Sequence, residues 1–463
     1  MNERDTRALR DGCAYADLWL EYRREFRDLP GLVVAIQHDH DLLLSRAYGM
    51  AELEHCVPMT TGHLFRIASH SKTFTATAIA QLVEHGRLRL DDRASASLPW
   101  LQSNVTIRQL LNHTGGVIRD GFDADFWQLQ APFPDRDQLQ AIANAGAVFE
   151  PNSSFKYTNI GFGLLGLVIE AVSGMTYNAF VDEHIVRRLA LHDTGPEVDL
   201  SRAERLVTGY SRSRLGVGRQ AVPLSVETNA LSPATGFYST AEDLCRYAAA
   251  HWMGDERLLS DASKREMQHP YWTIDQADES YGLGFSVRQI GRRRMIGHGG
   301  GFPGQSTRTL IDPVEKLVVV VLSNTSASDG LAAPLAETVV KILDFAMASA
   351  RGVDAAPSHA LDTFTGRFAN IWGVLDIVAF GNALKAISPE ADDPVQRLTD
   401  LRVIDANTLC IEATGGYGSP GETVRFERHP ADTIKRVFFG GMSSLPAETF
   451  RTRHDATLAP AGD

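Results

Sequence analysis

The residues with the clearest chemical potential are a serine and a lysine three positions apart, Ser69 and Lys72. Residues 73–85 have the apolar spacing of a helix, so both side chains are expected on one face of its first turn. Free N–H groups at that end of a helix favour an oxyanion that develops nearby. A serine becomes a nucleophile when a base takes its proton, and a lysine that has lost its own proton can be that base. By itself, however, the pair is more typical of a capping serine beside a surface lysine.

Two later segments change this interpretation through their residue types and their order. A Tyr-Thr-Asn triplet begins at Tyr157, and a His-Gly-Gly-Gly run begins at His298. Together with S-x-x-K, these segments resemble the serine β-lactamase and penicillin-binding-protein superfamily, whose members carry S-x-x-K, S-D-N and K-T-G. The sequence is most similar to the class C β-lactamase-like branch of esterases and D-peptidases. In that branch Tyr-x-Asn replaces S-D-N, and His-x-Gly can replace K-T-G.

The resemblance covers roughly residues 30–350 and does not depend on the triplets alone. Further segments that look like the family are residues 107–116, 149–161, 281–285 and 297–304. Beyond this region, residues 364–368 and 422–426 are loosely similar to the lipocalin-like β domain that some members append.

The resemblance implies a role for each residue of the motifs. Ser69 would be the nucleophile, and Lys72 and Tyr157 would share the general-base work. Asn159 would hold Lys72 and the substrate by hydrogen bonds. The backbone N–H groups of Ser69 and Gly301 would form the oxyanion hole. The residues expected to bind the substrate or its oxyanion are Asn159, His298, Gly300 and Gly301.

His298 is where the sequence departs from the penicillin-recognising members, which carry a lysine at this position. The fixed charge of that lysine helps to bind a substrate carboxylate, whereas a histidine is mostly neutral near pH 7. The replacement also removes a cation that would depress the pKa of Lys72 and Tyr157. We therefore expect an esterase or a peptidase of other specificity before a β-lactamase.

The elements that position these residues predict an α+β fold, in which an antiparallel sheet is flanked by helices. Two apolar runs, residues 32–37 and 42–48, enclose a polar turn and predict a hairpin. Strands are predicted again over residues 293–298, 306–311 and 317–322, and the helices that lie between the two groups are expected to form an inserted lobe. Helices are predicted over residues 6–28, 73–85, 106–111, 160–172, 241–251 and 331–350.

A second, all-β domain is predicted after a small-residue linker at residues 350–358. Short β-like runs separated by Gly and Asp/Asn turns continue to the end of the chain, as in an antiparallel barrel. The predicted division is therefore a serine hydrolase domain over residues 1–352 and a lipocalin-like β domain over residues 353–463.

The composition restricts the classes of molecule that the chain is expected to bind. The net charge of −12 argues against nucleic acid and anionic membrane, which leaves a small molecule or short peptide as substrate. The cysteines are scattered and no paired Cys/His spacing occurs, so we expect reduced cysteines, no metal and no cofactor. The charged start lacks an apolar signal-peptide stretch and no window approaches 18 apolar residues, so a cytoplasmic protein is expected. A homo-oligomer is left open.

Three functions remain on these residues. The first is hydrolysis through an acyl-enzyme on Ser69, with an ester ranked before an amide or D-peptide and a β-lactam third. The second is acyl transfer, in which an alcohol or amine intercepts the same intermediate. The third, a non-catalytic binding protein, is disfavoured because the serine, the lysine and the tyrosine are all present.

Overall fold

The computed structural model describes residues 3–213, 215–223, 226–275, 277–326, 331–351, 361–413 and 418–458. Its α-helices are α1 (Glu3–Phe26), α2 (Ser71–Glu84), α3 (Ala94–Ser97), α4 (Ile107–Leu111), α5 (Arg136–Asn144), α6 (Asn159–Ser173), α7 (Tyr177–Val181), α8 (Ser232–Thr235), α9 (Ala241–Ala249), α10 (Asp261–Met267), α11 (Ala332–Arg351) and α12 (Ala447–Leu458). Its first strands are β1 (Gly31–His38), β2 (Asp41–Glu52), β3 (Val57–Pro58), β4 (Phe65–Arg66), β5 (Gly209–Tyr210), β6 (Ala221–Val222), β7 (Tyr238–Ser239), β8 (Trp272–Ile274), β9 (Glu279–Tyr281), β10 (Ser286–Ile290), β11 (Arg293–Phe302), β12 (Gln305–Asp312) and β13 (Leu317–Ser323). The later strands are β14 (Gly366–Asn370), β15 (Gly373–Phe380), β16 (Ala383–Ile387), β17 (Thr399–Asp405), β18 (Thr408–Ala413), β19 (Thr423–Arg428), β20 (Ile434–Phe439) and β21 (Met442–Pro446).

The chain forms two compact units. One unit is Asp28–Glu337, and the other joins Met1–Arg27 to Thr338–Asp463. Helix α1 belongs to the second unit because Arg23 donates a hydrogen bond to the Glu390 carbonyl and pairs with Asp392. The predicted boundary between residues 352 and 353 lies outside the described residues, so the division into folding domains stays a prediction.

The first unit contains a nine-stranded antiparallel sheet in the order β3-β2-β1-β13-β12-β11-β10-β9-β8. Strands from the two ends of the unit meet at its centre, where Val34 of β1 lies opposite Val321 of β13. Every residue of the Val-rich strand β13 is buried, as a central strand covered on both faces requires. This arrangement confirms the predicted sheet with a helical lobe between its two parts.

Helix α2 is the core of that lobe, since its residues are buried on all sides from Ser71 to Leu82. Helix α6 packs closely on α8, because a Cβ at Gly166 would lie 2.2 Å from Pro233 Cγ. Among the described residues no single helix is long and apolar enough to cross a membrane. Only α6 together with Tyr177–Val186 passes that test, as a pair bent by 78°.

The second unit contains a closed barrel of β14 to β21, in which β14 and β21 pair to complete the ring. Leu409, Val424 and Val437 are fully buried in its apolar core. The predicted β-barrel is therefore confirmed. Strand β21 and the terminal helix α12 were not predicted, because β-like runs were expected to continue to the end of the chain.

Candidate active site

Ser69 lies in a tight turn between β4 and α2, where a 3-10 turn spans Ala68–His70. Ala68 adopts a left-handed φ of 48°, which is costly for a residue with a side chain and is typical of functional sites. The Ser71 hydroxyl donates to the Ala68 carbonyl at 2.6 Å and accepts from the Phe237 N–H at 3.1 Å. These bonds hold the strained turn and leave the half-buried Ser69 side chain facing a cavity.

Lys72 is fully buried, and its Nζ lies 3.2 Å from Ser69 Oγ. The same Nζ donates to Asn159 Oδ1 at 2.7 Å and to the Ala234 carbonyl at 2.9 Å. No carboxylate of the described residues forms an ion pair with it. Burial lowers the pKa of Lys72 well below its usual value, and the nearby charge of Asp120 opposes this shift only in part.

The hydrogen bonds of Lys72 indicate how a neutral amine would act in this site. Asn159 Oδ1 and the Ala234 carbonyl can only accept, so they take the two N–H groups of a neutral amine. The remaining lone pair would then face the Ser69 hydroxyl. This geometry suits a lysine that removes the serine proton.

Asn159 is held in one orientation by groups on both sides. Its Nδ2 donates to Asp120 Oδ1 at 2.6 Å, while its Oδ1 accepts from Lys72. A carboxylate can only accept, so the amide cannot be turned around without losing both bonds. Asp120 also accepts from Arg119 Nε at 3.1 Å. A chain of polar groups therefore connects the lysine to an exposed arginine.

Tyr157 lies on the other side of Lys72, with 4.8 Å between the lysine Nζ and the centre of the ring. Burial raises the pKa of its phenol, and hydrogen bonding with Ser69 and the charge of Arg119 oppose that shift only in part. The phenol is therefore protonated near pH 7. This favours Lys72 as the first base and leaves Tyr157 to relay a proton.

His298 is buried and does not line the cavity. Its Nδ1 is 2.6 Å from the Gly299 carbonyl, and its Nε2 is 3.0 Å from the Tyr281 hydroxyl. Because a carbonyl can only accept, Nδ1 carries the proton and Nε2 accepts from the tyrosine. Burial, with the charge of Lys72, lowers the pKa of His298 well below its usual value, so the ring is neutral.

The glycines of β11 are not equivalent. A Cβ at Gly300 would lie 2.1 Å from the Ile67 carbonyl, so this glycine permits the strand to approach the turn that carries Ser69. A Cβ at Gly301 would meet nothing within 4 Å, and Gly301 lines the cavity. Of the two, Gly301 is the better placed to present its backbone to a bound molecule.

The cavity has a volume of about 480 Å³. The residues that line it are Ser69, Arg119, Asp120, Trp127, Tyr157, Asn159, Gly299 and Gly301. The structure thus brings together at its wall four of the residues singled out from sequence, while Lys72 lies directly behind Ser69. His298 and Gly300 are adjacent but do not line the cavity.

Three residues of the cavity wall, Arg119, Asp120 and Trp127, were not identified individually from the sequence. They belong to the segment 117–148, which was expected to form a wall of the pocket but carries no recognisable signature. The other segment expected there, residues 208–235, contributes no lining residue within the described part of the chain. It acts instead through the Ala234 carbonyl that binds Lys72.

His113 packs beneath the cavity as a structural residue. Its ring lies 4.4 Å from that of Tyr157 and 4.7 Å from that of Tyr281, centre to centre. Its Nδ1 accepts from the Thr158 N–H at 3.2 Å. It is fully buried, so it supports the wall that carries Tyr157.

Comparison with known proteins shows which family the chain resembles. The profile of the family described as Beta-lactamase matches residues 19–343. Penicillin-binding protein 4* of Bacillus subtilis (strain 168) is 30% identical over 299 residues, which are 61% of this chain and 66% of that protein. The chain thus spans slightly less than two thirds of the length of that relative.

Two solved structures extend the comparison. The D-stereospecific amidohydrolase from Streptomyces sp. is 26% identical, with a TM-score of 0.59 over 68% of this chain and 94% of that chain. The octameric penicillin-binding protein homologue from Pyrococcus abyssi has a TM-score of 0.66 over 93% of this chain and 99% of that chain. At 21% identity this second likeness shows the fold alone, and it extends through the C-terminal barrel.

Proposed function

The chain belongs to the beta-lactamase family of serine hydrolases, and we propose that it cleaves an ester or amide through an acyl-enzyme on Ser69. The observation that carries this proposal is the contact of 3.2 Å between Ser69 Oγ and the buried Nζ of Lys72. Lys72 has no carboxylate partner among the described residues, so burying its charged form costs stability and favours the neutral amine. A lysine in this state is typical of a group that transfers protons. The substrate is a small molecule or a short peptide, in keeping with the size of the cavity.

In the first half of the reaction, Ser69 Oγ attacks the acyl carbon and its proton passes to Lys72. The N–H groups of Ser69 and Gly301 stabilise the charge on the acyl oxygen, since such donors act on the developing oxyanion. The bond to the leaving group then breaks, and the proton reaches that group through the Tyr157 hydroxyl. The product is an ester of Ser69 together with a free alcohol or amine.

In the second half, water attacks the acyl carbon of that ester. Lys72 and Tyr157 take the proton of the water, the bond to Ser69 Oγ breaks, and the serine recovers its proton. The acid is released and the enzyme returns to its starting state.

We rank an ester first because β11 carries the neutral His298 at the position where β-lactam-recognising members carry a fixed cation. An amide is the second candidate, and the similarity to the D-stereospecific amidohydrolase supports it. Acyl transfer uses the same intermediate, and partitioning of the acyl group between water and an added alcohol would reveal it.

The test is a burst of p-nitrophenol from p-nitrophenyl acetate, with capture of the acyl adduct on residue 69 by mass spectrometry. Ser69→Ala is expected to abolish the burst and the adduct, while replacement of the exposed Ser201 by alanine leaves both unchanged. If Ser69→Ala is acylated as fast as the wild type, the proposed function is wrong.

A further inference from the structure

Two charged residues line the cavity in the described part of the chain, and they differ in what they can still bind. Both carboxylate oxygens of Asp120 are occupied, one by Asn159 Nδ2 at 2.6 Å and the other by Arg119 Nε at 3.1 Å. The Asp120 side chain is also only 12% exposed. A substrate cation would therefore have to displace a bond that holds the site together.

Arg119, in contrast to Asp120, is exposed and has groups available for hydrogen bonding. Its side chain is 62% exposed, and only its Nε is used by Asp120. Within the described part of the chain, neither of its Nη groups donates a hydrogen bond. The guanidinium lies 5.5 Å from the centre of the Tyr157 ring, which fixes one end of a planar, permanently charged fork beside the reacting serine.

Two other basic residues beside the cavity, Lys72 and His298, are not available to bind an anion. Lys72 is buried and has three partners. His298 is buried and its two ring nitrogens are used by Gly299 and Tyr281. His298 therefore offers no fixed positive charge to the cavity, whereas Arg119 lines it and supplies one.

We propose that Arg119 forms a carboxylate-binding subsite, so that substrates with a carboxylate near the scissile bond are preferred over neutral ones. An arginine fork binds a carboxylate through two parallel N–H···O bonds, and here both Nη groups are available for them. The proposal rests on the proposed hydrolase function and adds the substrate class to it. The carboxylate belongs to either the acyl half or the leaving half of the substrate, and the test separates these sources.

The test compares two matched pairs of chromogenic esters. For the acyl half, the mono-p-nitrophenyl ester of glutaric acid is compared with p-nitrophenyl butyrate. For the leaving half, 3-carboxy-4-nitrophenyl acetate is compared with p-nitrophenyl acetate. In each pair the ratio of kcat/KM for the charged ester to that for the neutral ester is the readout.

Arg119→Gln is expected to lower this ratio about ten-fold in one pair, as the loss of a partly exposed charged hydrogen bond would. Arg119→Lys keeps a charge but not the fork, so it should retain part of the preference. Arg265→Gln is the matched control, because Arg265 is similarly exposed at 67% and lies on α10 outside the cavity. The wild-type ratio should also fall between about 0.05 M and about 0.5 M salt, since an exposed charge is screened.

The ratio separates a binding role from a structural one. If Arg119→Gln only disturbs Asp120, both esters of a pair slow equally and the ratio stays constant. A ratio unchanged in both pairs overturns the subsite, even when the neutral esters still give a burst. Failure of the wild type to be acylated by any of the four esters would instead count against the proposed hydrolase function.

Discussion

A buried lysine in one unit and a half-buried arginine in the other are held in opposite ways. In the barrel unit, Arg367 Nε and Nη2 bind the two oxygens of the fully buried Asp376 at 2.7 and 2.8 Å. In the unit of the sheet, Lys72 is bound only by neutral oxygens. The charge of Arg367 is balanced by its carboxylate partner, whereas Lys72 has no charged partner among the described residues and loses its proton more easily.

The difference shows how a structural charge can be distinguished from a chemical one. In a bidentate pair each charge is balanced by the other. Removing one partner leaves the other as an uncompensated charge in the interior. Lys72 has no ion pair among the described residues, so ion pairing does not explain its presence in the core. Its lowered pKa suits it to proton transfer. The comparison predicts that mutations at the two places will separate activity from stability.

The largest expected effect is on activity in Lys72→Met. Removal of the base should lower the burst rate about a thousand-fold, while the free energy of unfolding changes little, because no ion pair is lost. Stopped-flow measurement of p-nitrophenol and urea unfolding would test the two parts.

Lys264→Met is the matched control. Lys264 is as buried as Lys72 but pairs with Asp261 at 2.8 Å. Its removal should destabilise the protein and leave the burst per folded molecule intact. A Lys72→Met variant that retained more than about a tenth of the wild-type burst rate would contradict the role of Lys72.

The next effect is on stability in Arg367→Met, which leaves Asp376 buried without its partner. A loss of about 3 kcal/mol in the free energy of unfolding is expected, with kcat of the folded protein unchanged. The double variant Arg367→Met/Asp376→Leu should recover part of the loss. If the single variant is as stable as the wild type, the pair does not hold the barrel unit.

A smaller effect is expected for Asp120→Asn. An asparagine offers one acceptor oxygen for the two bonds that Asp120 accepts from Asn159 and Arg119, so Asn159 is held less firmly and kcat should fall about ten-fold. Loss of the Asp120 charge also lowers the pKa of Lys72 further, since that charge now raises it. The rising limb of the pH profile of kcat/KM should therefore move to lower pH.

Asp123→Asn, on the same loop but exposed, is the control for this variant and should change neither kcat nor the pH profile. A profile of Asp120→Asn that stays in place, or moves to higher pH, would show that Asp120 does not act on Lys72.

The last expected effect is a difference in acid sensitivity between the two units. Burial lowers the pKa of His70 to about 4 and that of His251 to about 3, against 6.5 for a free histidine. The unfolded chain therefore binds more protons below pH 6.5, and the stability that is present above this value is lost as the pH falls towards 4. The described barrel unit contains no buried histidine.

The unit Asp28–Glu337 should therefore lose stability between pH 7 and pH 5, by up to about 1.4 kcal/mol per pH unit for each displaced histidine. Peptide-resolved hydrogen exchange, corrected for its intrinsic pH dependence, would measure this. His251→Phe should reduce the slope. Equal losses in the two units would argue against buried histidines as the cause.

Much of the site was predictable because its central contact is local. One turn of helix places residues three apart side by side, so Ser69 and Lys72 meet whatever surrounds them. The sheet was predictable as well, since runs such as β13 are too apolar to lie anywhere but at its centre.

The sequence by itself therefore predicted Ser69 as the nucleophile with Lys72 as its partner, one antiparallel sheet built from two separate groups of strands, and the presence of a barrel. Only the tertiary structure decided that Lys72 is desolvated, that Asp120 orients Asn159 and that Arg119 lines the cavity with Nη groups that no described residue accepts from. These properties depend on residues that are far apart in the chain. For example, Lys72 Nζ lies 2.9 Å from the carbonyl oxygen of Ala234. A loop such as 117–148 has no periodicity that reveals where its side chains will point, because packing of the completed core sets their positions.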